Sequence, residues 1–126
     1  MSTCFVYVYR DGSNYKQWGE IVFAGEFSPD LSERLITALD SSEFFIADQV
    51  RIPELFFKGG DLYADDHCWH EFSEIVDTAD LATDPYARTF EQFVCEVEVA
   101  STNGWRVFDP LERQLATRSG DSSMLG

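Results

Sequence analysis

Cys4-Phe5-Val6-Tyr7-Val8-Tyr9 is dense in β-branched and aromatic residues, and Glu20-Ile21-Val22-Phe23-Ala24 is a second such run. The polar segment between them contains Asp11-Gly12-Ser13-Asn14, so the two runs predict a β-hairpin. The connection is longer than a two-residue turn. It places Asn14, Tyr15, Lys16 and Trp18 on a protruding loop whose tip can touch a partner.

Ser28-Pro29-Asp30 is a helix start, with Ser28 as N-cap, Pro29 at the first helical position and Asp30 facing the positive end of the helix. Leu31, Leu35, Ala38 and Leu39 recur at helical spacing, so this helix runs to about Asp40. Glu43 to Ala47, Gln49 to Ile52 and Leu55-Phe56-Phe57 predict one or two further strands, limited by Pro53. Trp69 through Ile75 predicts another. Thr89 with Gln92 three residues on reads as a capping box, Phe90, Phe93, Val94, Val97 and Ala100 form an apolar stripe, and Gly104 is a stop. This order predicts an α+β domain with two helices on one face of a mainly antiparallel sheet. Residues 1–113 are read as that single domain and 114–126 as a flexible polar C-terminal tail.

With 126 residues, 44% hydrophobic and 15% aromatic, the chain is long enough for one core and too apolar for a disordered acidic tail. Its three cysteines, Cys4, Cys68 and Cys95, are odd in number, widely spaced and without a C-x-x-C pair. Neither a disulfide framework nor a zinc ribbon follows, and a reducing cytoplasmic setting is expected. The first apolar run is too short for a signal peptide core or a membrane span.

Charge is unevenly spread. Between Asp61 and Glu98 there are eleven carboxylates and one base, Arg88, so this stretch holds −10 of the −14 formal charge. Nine basic residues against twenty-three acidic ones offer no face for phosphates, which argues against direct nucleic-acid binding. The inverse fits better: a folded carboxylate array can occupy a basic groove. Asp61, Asp65, Asp66, Glu71, Glu74, Asp77, Asp80, Asp84, Glu91, Glu96 and Glu98 are the candidates for such an array.

Asp65-Asp66-His67-Cys68-Trp69-His70-Glu71 combines oxygen, nitrogen and sulfur ligand types and both histidines of the chain. In an extended segment Asp66, Cys68 and His70 would share one face, and Asp65, His67, Trp69 and Glu71 the other. A structural zinc site draws four ligands from spaced pairs, and there is no second pair. No metal or other cofactor is therefore expected, and His67, Cys68 and His70 would be the ligands if one bound. Cys68 beside His67 and His70 lacks an oxyanion-hole turn or a G-x-S-x-G elbow, so no catalytic residue is assigned.

Tyr9 to Lys16, Phe44 to Ala47 with Ile52-Pro53, and Asp65 to Phe72 resemble segments of a small uncharacterised family of bacterial and mobile-element proteins. The resemblance spans most of residues 4–110. It implies no activity, and similarity to small acidic phage-borne proteins implies that an inhibitor role is reasonable. The expectation is a non-enzymatic protein that binds a basic surface of a partner protein, such as an anti-CRISPR or anti-restriction inhibitor that mimics DNA, with Tyr15, Trp18, Tyr63 or Tyr86 adding specificity. The alternatives are a metal-dependent or cysteine-based enzyme centred on Asp65 to Glu71, an immunity protein, and a housekeeping module with incidental acidity.

Overall fold

An inner strand whose outward side chains are shielded by those of its neighbours need not alternate apolar with polar residues. The run Cys4 to Tyr9 behaves this way. It lies within β1 (Ser2–Arg10), an inner strand of a four-stranded sheet of order β2-β1-β4-β3. The computed structural model of the chain describes residues 1–56 and 62–125.

β2 (Lys16–Ala24) pairs antiparallel with β1 from Ser2 opposite Ala24 to Arg10 opposite Lys16. Lys16 and Trp18 are thus ladder residues, not loop residues, and the connecting loop is confined to Asp11–Tyr15. Backbone pairing has carried the hairpin past the end of its apolar side chains. Gly19 is on the inner face of β2, where a Cβ would stand 2.7 Å from a methyl of Leu55, so the missing side chain makes room for that leucine.

α1 (Pro29–Ala38) starts as its sequence predicts, with the Ser28 hydroxyl accepting from the Leu31 N–H at 3.1 Å. β3 (Phe44–Ile46) and β4 (Trp69–Thr78) complete the antiparallel sheet. Of the strands expected between Glu43 and Phe57, only β3 forms among the described residues. Ala47–Val50 is a 3-10 turn that ends at Arg51, whose φ of 58° lies in the left-handed region. Phe57 is outside the described residues.

α2 (Phe90–Asn103) carries both halves of the Thr89–Gln92 capping box and stops at Gly104, where φ is 91°. Leu35 of α1 and Phe90, Phe93, Val94, Val97 and Ala100 of α2 bury against Phe5, Tyr7, Ile21 and Phe23. The chain therefore has the α+β architecture with an antiparallel sheet, and α1 and α2 share its inner face. α3 (Pro110–Leu125) runs through the segment for which the sequence predicts a polar tail. Its start is capped, because Asp109 Oδ1 accepts from the Leu111 N–H at 2.9 Å, and its first turns are tied down by Arg113 bonding Glu54 at 2.8 Å.

The register between β1 and β4 shifts at one place. Val6 faces Glu74 and Tyr7 faces Phe72, which leaves Ser73 as the extra residue of a β-bulge. Phe72 and Ile75, three apart, can both face the core because of it. The same bulge puts Glu71 and Glu74 together on the outer face, where strict alternation would have separated them.

Candidate protein-interaction surface

Reading across β4, β1 and β2, the outer face is a lattice of three rows: Glu71, Val8, Trp18; then Glu74, Val6, Glu20; then Val76, Cys4, Val22. Residues directly opposite on neighbouring strands have Cβ atoms about 5 Å apart, so Glu20 and Glu74 flank Val6 with their Cβ atoms about 10 Å from one another. Val8, Cys4 and Val22 are buried, whereas Trp18 is 57% and Val76 41% exposed. Trp18 and Val76 stand at opposite corners of this lattice, with Glu20 and Glu74 in the row between them.

The chain after β4 returns to the far edge of β2. Thr83 N donates to Val22 O at 2.8 Å, and Thr83 Oγ1 accepts from Val22 N at 2.9 Å. This crossing brings Asp80 close to Cys4. Burial first, then the charge and hydrogen bond of Glu20 and the charges of Asp80 and Glu74, push the Cys4 thiol up to about 11. Glu20, Glu74 and Asp80 have no ion-pair partner among the described residues. At the other end of the face Arg10 is held by Glu71 at 3.1 Å and lies opposite Lys16, so the surface grades from mixed to acidic.

The other candidate carboxylates do not join one array. Asp84 is buried against Arg88, whose Nε lies 2.9 Å from Oδ2 and whose backbone N–H donates to the same oxygen. Burial opposes the charge on Asp84, but the hydrogen bonds and charge of Arg88 outweigh it and hold the carboxyl below its usual range. Glu96 is lowered by its hydrogen bond to Arg51 and by Arg88, and Glu98 by its hydrogen bond to Arg34. Glu96 and Glu98 thus tie α2 to Arg51 and Arg34 at the surface, whereas the Asp84–Arg88 pair is buried.

Asp65 and Asp66 fasten two loops at the end of the sheet. The Asp65 carbonyl accepts from Gly12 N at 3.0 Å and its carboxylate from Ser13 Oγ at 2.6 Å. A Cβ on Gly12 would meet Asp65 Cβ at 2.9 Å, so only glycine allows this approach. Asp66 accepts from the Tyr9 hydroxyl and from Tyr63 N. Asp77 lies in the row of β4 opposite Thr3, on the inner side at the sheet's end, and Glu91 is in the first turn of α2. Asp61 lies outside the described residues. The ten described candidates are thus dispersed, and Glu20, Trp18 and Val76, none of them among the candidate carboxylates, belong to the outer face.

Both histidines are committed to backbone. The arrangement around His67 places its proton on Nε2, donating to the Arg10 carbonyl at 2.6 Å, while Nδ1 accepts from Trp69 N at 3.1 Å. His70 is fully buried; Nε2 accepts from Leu55 N at 2.9 Å, and Nδ1 faces the Cys68 carbonyl at 3.3 Å. A metal ligand or general base needs a free imidazole lone pair, and both are engaged. Cys68 is buried, and burial pushes its thiol up. Among the described residues no three His, Cys, Asp or Glu side chains converge on a position for an ion.

Tyr15, Trp18, Tyr63 and Tyr86 are all exposed. They are spread over the molecule: Tyr15 and Tyr63 belong to the joined loops, Trp18 to the outer face, and Tyr86 stacks on the guanidinium of Arg51, 4.4 Å from its ring centroid. No helix among the described residues is long and apolar enough to cross a membrane. No protein-family model matches the chain, and neither a curated protein nor a solved structure shows significant similarity to it.

Proposed function

We propose that this chain is a non-enzymatic interaction domain that binds a basic surface of a partner protein through the outer face of its sheet. The observation that carries this reading is the pairing of exposed Trp18 and Val76 with Glu20, Glu74 and Asp80, carboxylates that no cation of the described residues neutralises. Carboxylates would speed the encounter and the aromatic side chain would hold the complex. An inhibitor that occupies a nucleic-acid-binding groove, of the anti-CRISPR or anti-restriction kind, is the most concrete form of this reading. Binding is favoured over catalysis at Asp65 to Glu71 because both imidazoles there are engaged by backbone groups.

The test compares two triple reversals with equal effect on net charge. Glu20, Glu74 and Asp80 changed to Lys should weaken binding of an oligo-arginine peptide by roughly tenfold more than Glu26, Glu33 and Asp48 changed to Lys, since like charge facing like charge is costly at an interface. Binding to the native protein should also fall steeply as salt rises. Circular dichroism first establishes that both variants are folded. Equal loss in the two triples would remove the outer face as the binding surface.

A further inference from the structure

At the β3 edge of the sheet Asp40, Phe44, His67 and Trp69 line a depression of about 400 Å³. The rings of Phe44 and Trp69 stand at 67° with centroids 6.5 Å apart, forming two walls of a notch. Asp40 is fixed beside them by a tight turn. Its N–H donates to the Phe44 carbonyl at 2.8 Å, and Ser41 and Ser42 both adopt left-handed φ values, 51° and 59°. The Asp40 side chain is exposed and has no ion-pair partner among the described residues. Both ring nitrogens of His67 are engaged by backbone groups, the Arg10 carbonyl and the Trp69 N–H. Arg10, whose carbonyl binds that ring, directs its own guanidinium to Glu71.

We propose that this notch binds an alkylammonium group, as carried by a lysine side chain of the partner. Aromatic faces attract a cation through their quadrupoles, a carboxylate supplies the countercharge, and no lysine or arginine of the described residues lines the site to compete. The inference rests on the reading of a basic partner for the source of the cation. It adds a discrete anchor to what is otherwise a charged face.

The experiment titrates Nα-acetyl-lysine amide, its Nε-trimethyl derivative and uncharged Nα-acetyl-norleucine amide into ¹⁵N-labelled protein, following the assigned indole N–H of Trp69. Both cations should shift that signal saturably, with the neutral analogue binding about fivefold or more weakly. Asp40→Asn and Phe44→Leu, which preserve shape and apolar volume, should each weaken the cations by about fivefold while leaving distant signals in place. Equal binding of the norleucine analogue, no saturable shift at Trp69, or undiminished binding by folded Asp40→Asn would overturn the proposal. Loss of the notch with oligo-arginine binding still sensitive to Glu20, Glu74 and Asp80 sinks this inference alone. Cation binding at Trp69 without that sensitivity keeps the notch and sinks the outer-face reading.

Discussion

His70 shows how one side chain changes meaning between sequence and fold. Beside Cys68 and His67 it looks like a ligand, yet it sits in the core against Tyr7, Tyr9, Phe45 and Phe56, clipping the Leu55 backbone to β4. Burial pushes its pKa down to about 4, from an ordinary value of 6.5. Because the folded value is the lower one, the unfolded chain takes up a proton that the native protein refuses. Stability is therefore complete above about pH 6.5 and is lost as pH falls toward 4. The loss attributable to this ring between pH 7 and pH 5 should be about 2 kcal/mol. Urea unfolding at the two pH values should show that loss in the native chain and lack it in His70→Gln, which keeps an acceptor for Leu55 N. The same pH dependence in both proteins would show that His70 is not its source. Neither the burial nor the Leu55 contact is visible in the local sequence, since Leu55 is fifteen residues away.

Local signals wrote α1 and α2 plainly, because caps and a helical repeat involve residues three or four apart. The Thr89–Gln92 box is such a signal, and Thr89→Ala should lower stability by about 1 kcal/mol, read as a lower thermal midpoint, while Thr89→Ser should recover most of it. An alanine variant as stable as the native chain would show that the cap does not matter in this context. The strand expected over Gln49 to Ile52 fails for a non-local reason. The carbonyls of Val50 and Arg51, which a ladder would have used, accept from the guanidinium of Arg88 at 2.7 and 2.9 Å, thirty-eight and thirty-seven residues away. Gln49 spends its side chain on Gly104 O and Arg106 N. The start of α3 was legible in Asp109-Pro110, a cap followed by a proline at the first helical position, but the polar composition after it hides the helix.

Over the whole molecule the acidic run is not the acidic surface. Arg10, Arg34 and Arg51, from the first sixty residues, fold onto Glu71, Glu98 and Glu96, and Arg88 neutralises Asp84 from within. What remains unneutralised among the described residues lies partly on and beside the outer sheet face, at Glu20, Glu74 and Asp80, and partly on the helical side, at Asp30, Glu33, Asp48 and Glu91, on a chain of net charge −14. Self-repulsion at that charge opposes compactness, so moderate salt should raise the thermal midpoint of the isolated protein while weakening its hold on a basic partner. A midpoint that falls with added salt would mean that the ion pairs outweigh the repulsion. The sequence by itself determined the hairpin, the two capped helices, the α+β class and the sign of the net charge, because each depends on neighbouring residues or on composition. Only the tertiary structure decided which carboxylates stand free and which face they share. The arginine partners of Glu71, Glu96 and Glu98 lie sixty-one, forty-five and sixty-four residues away, and the bulge at Ser73 that aligns Glu71 with Glu74 arises from pairing with β1, which no local pattern encodes.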